Sequence, residues 1–186
     1  MNQPALIPAL STPSAAELER LDDAALHLRL HQQVEAAWQL CLGYHPALPR
    51  PAVWFDLRGK GAGQAHYVRR GLRFNPVLLR ENRHAFLAEV VPHEMAHWLV
   101  HHLEGGPWMQ PHGHEWKTVM VRLFGLKPRT THSFDVSRSS PAPYCYRCEC
   151  DRHYFSARRH GLARKGTKYR CRQCAQTLVY EGRVDI

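Results

Sequence analysis

Apolar and polar positions alternate along this chain with two different periods, and the change of period divides it. After Ser14-Ala-Ala-Glu17, which matches a capping box, Ala24, Leu28, Leu30, Val34, Ala37, Trp38 and Cys41 recur at helical spacing. They predict a long helix through about Leu42, with a break near His31 and Gly43 as its stop. From Pro51 the pattern turns β-like over 52–58 and ends in a glycine-rich turn, 59–63. Two short strands are predicted at 66–69 and 72–75, around Arg70-Gly71. Helical spacing returns at Phe86, Leu87, Val90, Val91, Met95, Leu99 and Leu103, predicting a helix over 81–103 that either kinks or restarts at Pro92. A loop follows at 104–111, then a helix from about His112 to Leu123 that packs Trp116, Val119, Met120 and Leu123.

Five residues inside the second helical stretch carry chemistry: His93-Glu94-Met95-Ala96-His97. Helix positions i and i+4 share a face, so both imidazoles can meet one ion. This is the H-E-x-x-H arrangement, in which two His hold zinc and the Glu is general base toward zinc-bound water. A third ligand must come from elsewhere, and His112-Gly113-His114 offers two candidates. His101, four residues after His97, either lines the cleft or faces solvent. The glycines at 59–63 lack the Lys-Ser/Thr ending of a phosphate-binding loop and read as a bend.

Of six Cys, five lie within thirty residues: Cys145, Cys148, Cys150, Cys171 and Cys174. Clustered C-x-x-C pairs point to zinc rather than disulfides. Cys145/Cys148 with Cys171/Cys174 makes one zinc ribbon. Cys150 or His153 can replace Cys145 as the fourth ligand. Cys41 stands alone and reads as a small buried hydrophobe.

Length and composition set the frame. With 186 residues and 44% hydrophobic content, the chain fits one globular domain plus a small appendage. The expected divisions are a leader over 1–13, a catalytic domain over 14–128, a linker over 129–143 and a zinc-ribbon module over 144–186. Neither a membrane span nor a secretory signal is recognisable, which makes the cytoplasm the expected location. The formal charge of +9 concentrates in 144–186, where ten Lys/Arg face four Asp/Glu. Four thiolates on one Zn²⁺ reduce that surplus of six to about four. Arg158, Arg159, Arg164, Lys165, Lys168 and Arg170, with Tyr154, Phe155 and Tyr169 interleaved, form a candidate DNA-binding stretch.

These segments together resemble the bacterial SprT family, whose members are similar to zinc metallopeptidases and related to the Spartan proteases that cut DNA-crosslinked proteins. The resemblance rests on 55–65, 73–79, 91–97, 111–117 and the Cys-rich tail. It implies an α+β fold: a mainly helical zincin-like domain with a small β-sheet, followed by a zinc ribbon. It also implies His93, His97 and His112 as catalytic zinc ligands, Glu94 as acid/base, and Cys148-Glu149-Cys150 in the structural site. A protein substrate, one catalytic and one structural zinc, and possible DNA association follow. Tyr67, Arg69 and Arg70 are candidates to stabilise an oxyanion, and 64–75 is the candidate substrate-pairing edge. The competing reading is a nucleic-acid-binding ribbon joined to a weakly active or inactive peptidase-like domain.

Overall fold

The computed structural model describes residues 10–184 except Glu104, so most of the predicted leader lies outside the described residues. The chain is α+β and separates into two compact units, 1–134 and 135–186. The boundary falls inside the stretch expected to be a linker. Residues 129–134 pack on the first unit: Arg129 pairs with Glu89 at 3.9 Å, His132 meets the Lys60 carbonyl at 2.9 Å, and Phe134 stacks on Phe86.

The predicted N-terminal helix is two helices, α1 (Ala15–Glu19) and α2 (Asp23–Leu42). Ser14 and Glu17 form the expected capping box. The break falls at 20–22, not at His31, because the Asp22 side chain accepts from the Ala25 amide and starts a new helix there. This restart sets which face is buried. Leu26, Leu30, Val34, Ala37 and Cys41 point inward, while Leu28, expected in the stripe, is 59% exposed. Burial pushes the Cys41 thiol up to about 12, as suits a hydrophobe with no chemical duty.

Three short strands follow: β1 (Ala52–Trp54), β2 (Gly63–His66) and β3 (Gly71–Phe74), ordered β1-β3-β2, with β1 parallel and β2 antiparallel to β3. Strand β1 ends before the predicted 58 because Phe55 turns to stack on His27 and Asp56 is claimed by Arg69 and Arg73. The second strand lies earlier than the predicted 66–69. Residues 67–70 are the hairpin turn, closed by Arg70 N–H on the Tyr67 carbonyl, with Arg70 at φ 59°.

The predicted helix over 81–103 is divided. After α3 (Pro76–Glu81) and the short α4 (Arg83–Ala85), a π-helical turn, 86–90, leads into α5 (Val91–His102). Pro92 sits in the first turn of α5 and has no N–H to give the preceding turn; the wider turn, closed by Val91 N–H on the Phe86 carbonyl, absorbs that loss. Helix α5 packs on α2, β2, β3 and α6 (His114–Arg122), and its buried residues run from Val91 to Val100 with gaps only at His93 and His97. The last helix begins at His114 rather than at the predicted His112.

One buried side chain ties these parts together. Asn75, fully buried, donates to the Gly59 and Gly61 carbonyls and accepts from Val77 and Leu78, capping α3. Its backbone N–H also holds the Ala62 carbonyl at 2.9 Å, fixing the entry into β2.

The second unit is an antiparallel sheet ordered β5-β4-β6, from β4 (Tyr144–Arg147), β5 (Arg152–Phe155) and β6 (Val179–Arg183), with α7 (Ala157–Arg164). Its core is small: Cys145, Tyr146, Cys148, Phe155 and Cys171. Among the described residues no helix is long and apolar enough to cross a membrane.

Replacing Asn75 by Ala removes a helix cap and orphans two carbonyls, and is expected to destabilise the first unit by about 3 kcal/mol. All five Trp lie in 1–134, so tryptophan fluorescence during urea unfolding reads this unit alone. A midpoint unchanged from wild type would contradict this role for Asn75.

Candidate metal centre

Helix α5 carries His93 and His97 one turn apart, and His112 reaches them from the loop before α6. Their Nε2 atoms lie 3.2 Å (His93–His97), 3.0 Å (His97–His112) and 3.1 Å (His93–His112) apart. Three ring nitrogens facing one point cannot all satisfy one another as donors and acceptors. A tetrahedral zinc at about 2.0–2.1 Å from each would separate them by roughly 3.3 Å, so the donor set fits that ion. His114, the other candidate, is exposed on the first turn of α6 and is not in the group.

Backbone conformation selects between the two. His112 has φ 59°, unusual for a residue with a side chain, and this turns its ring back toward α5. Gly113 follows in a tight turn, its N–H on the Gln110 carbonyl; a methyl group there would lie 2.9 Å from that oxygen. Trp116, 1% exposed, lies against all three rings at 4.7–5.5 Å and donates to the His93 carbonyl. Expected only as a core residue, it is also the wall of the site.

Burial holds the imidazoles neutral, the form a metal needs. It lowers His97 to about 3, with His93 and His112 adding repulsion, and His93 to about 4 despite an opposing hydrogen bond to the Arg129 backbone. His112 is lowered by burial as well.

Glu94, between the two helix histidines in sequence, reaches β2 with its carboxyl group. It is 6% exposed, and its Oε2 accepts the Ala65 N–H at 2.9 Å. Burial raises its carboxyl to about 8, against the pull of that hydrogen bond.

The oxyanion candidates separate. Arg69 is committed to Asp56 at 2.7 Å and lies over Trp54 at 4.3 Å; with Arg73 it holds Asp56 down at about 2. Arg70 is exposed in the hairpin turn. Tyr67 stacks flat on His101 at 3.8 Å, so His101 is a wall rather than a ligand, and burial and the Glu94 charge raise the Tyr67 hydroxyl.

In the second unit Cys148, Cys150, Cys171 and Cys174 bring their sulfurs within 4.8 Å of one another. Cys148–Cys150 at 3.4 Å and Cys150–Cys171 at 3.5 Å approach the roughly 3.8 Å edge of a tetrahedral four-sulfur zinc site. Backbone N–H groups of Cys174 and Gln173 lower Cys171 to about 6, while hydrogen bonds to Cys148, Cys174 and Cys171 push Cys150 up. Cys145 is corrected out of the set. It sits within β4, paired with Tyr154 and Gly182, and its sulfur faces Glu181 at 3.4 Å. His153 stays outside the group of four, its Nε2 3.3 Å from the Cys148 sulfur.

The basic stretch is partly structural. Arg158, Arg164, Lys165, Lys168 and Arg170 are exposed on or after α7. Arg159, also exposed, lies 3.8 Å over Phe155 and 4.9 Å over Tyr169. Phe155 is fully buried, so it cannot stack on a base; Tyr154, 53% exposed, can.

Titration in the metal-free state follows from these environments. Between pH 4.5 and 8 the folded protein keeps a proton on Glu94 that the unfolded chain has released, so stability falls as pH rises. His93 and His97 work in the opposite sense, but only below the ordinary histidine value of 6.5. With metal chelated, raising pH from 6.5 to 8 should destabilise wild type relative to Glu94→Gln by roughly 1.4 kcal/mol per pH unit. Parallel melting curves for the two proteins across that range would contradict the burial argument.

The SprT-like family profile matches residues 27–132. Protein SprT of Pseudomonas paraeruginosa is 45% identical over 159 residues, covering 83% of this chain and 96% of the relative. Protein SprT of Shewanella oneidensis is 44% identical over 163 residues, covering 87% and 96%. Protein SprT of Pseudomonas syringae is 44% identical over 157 residues, covering 83% and 95%. No solved structure matches the chain. On the strength of these matches, the chain belongs to the SprT-like family.

Proposed function

We propose that the first unit is a zincin-like metallopeptidase that hydrolyses protein substrates, with His93, His97 and His112 holding a catalytic zinc. The observation that carries this is the convergence of three neutral imidazoles beside one buried carboxylate. When bound, the metal would lower the pKa of water and polarise the substrate carbonyl. The chain's own residues do the rest. Glu94 Oε2 is tied to Ala65, which leaves Oε1 to take a proton and return it to the leaving amine. A carboxyl raised toward neutrality by burial suits both halves of that exchange. Tyr67, packed on His101 beside Glu94, is the remaining candidate to donate to developing negative charge.

Cys148, Cys150, Cys171 and Cys174 would hold a second, structural zinc that stands in for the core this small unit lacks. A second reading, DNA association, is favoured by one observation: Arg158, Arg164, Lys165, Lys168 and Arg170 all remain exposed. The two combine if DNA brings DNA-bound or DNA-crosslinked proteins to the peptidase.

Glu94→Gln is expected to abolish cleavage of casein while keeping the wild-type zinc content; full activity would refute Glu94 as the base. His112→Ala should lower zinc by one per chain, whereas His114→Ala should not, and the reverse result would exchange their roles. Reversing charge at Arg158, Arg164 and Lys165 together should weaken single-stranded DNA binding at least tenfold and flatten its salt dependence. Unchanged affinity would remove the second reading.

A further inference from the structure

We propose that Gly63 is a positioning residue for proton transfer: with the Ala65 amide it forms a seat on β2 that fixes the Glu94 carboxylate. This rests on the reading of Glu94 as proton carrier. Gly63 and Ala65 are alternate residues of β2, so their backbone groups face the same edge. Ala62 accepts from Asn75 on the β3 side, which turns the groups of 63 and 65 away from β3 and toward α5. Ala65 uses its N–H on Glu94 Oε2. Gly63 gives room: a methyl group built on it would lie 2.5 Å from Glu94 Cγ, 2.6 Å from Oε1 and 2.8 Å from Cδ. No side chain fits there while Glu94 holds its present rotamer.

The backbone itself does not demand glycine at this position. Gly63 lies outside the positive-φ glycines and pairs regularly with Phe74, so alanine costs the strand nothing. The overlap therefore falls on Glu94. Enclosed between α5 and β2, its carboxylate must rotate off the Ala65 amide, and Oε1 leaves the position from which it moves a proton. His93 and His97 need not shift. Asn75 belongs to the same device one step back, because it anchors the 59–62 turn that delivers Gly63 to the edge.

The test is Gly63→Ala in the zinc-loaded full chain. Zinc content should match wild type and the melting temperature should fall by only a few degrees, the cost of one hydrogen bond, while kcat on casein falls about 100-fold with KM nearly unchanged. Independently of activity, hydrogen exchange at the Ala65 amide should quicken at least tenfold in Gly63→Ala. Wild-type kcat, or an Ala65 amide as protected as in wild type, would overturn the proposal. Should wild type leave casein intact, the peptidase reading falls, and the exchange measurement still decides whether Gly63 seats Glu94.

Discussion

Burying a carboxylate between two half-buried imidazoles on the central helix of a small core is the constraint from which the rest of the first unit follows. Helix α5 buries its own Val91, Met95, Ala96, Trp98, Leu99 and Val100 along its length, and each polar group it buries must find a partner or lose its charge. His93 and His97 answer by being neutral and by facing His112. Glu94 answers by taking the Ala65 amide. The sheet edge, the Asn75 hub and the left-handed His112 are the supports these answers require. A change at the sheet edge or at His112 therefore disturbs chemistry more than folding, because most of α5's burial is apolar and independent of the site, whereas loss of Asn75 costs both.

The two units solve the problem of stability differently. The first has a continuous apolar core, with Phe74, Phe86, Trp98 and Trp116 among its fully buried side chains. The second has Phe155 and little else, wrapped by Tyr146, Arg159 and Tyr169. Four thiols within 4.8 Å crowd their charge without a cation among them. On the proposed reading, a metal would stabilise the second unit and supply chemistry in the first.

Local features were legible in the sequence and distant ones were not. The i, i+4 spacing of His93 and His97, the capping box at Ser14 and the role of Pro92 depend on a few neighbouring residues, and the structure shows each. The choice of His112 over His114 turns on one positive φ, which residue type does not announce. Cys145 and Cys150 are both two or three residues from Cys148, and only the extent of β4 separates a strand residue from a turn residue. The aromatics at 154, 155 and 169 looked alike in a basic stretch; alternation across β5 puts Tyr154 outside and Phe155 inside. The pairing of Glu94 with β2 spans 29 residues of sequence and left no local pattern at all.

The central claim is that one zinc sits among three histidines while Glu94 stays outside its coordination, held by β2. Anomalous diffraction at the zinc edge from crystals of the zinc-loaded protein tests it directly. The account predicts a peak about 2.0–2.1 Å from Nε2 of His93, His97 and His112, with the Glu94 carboxylate still on the Ala65 amide. A peak ligated by Glu94 or His114, or no peak among the three imidazoles, would contradict it.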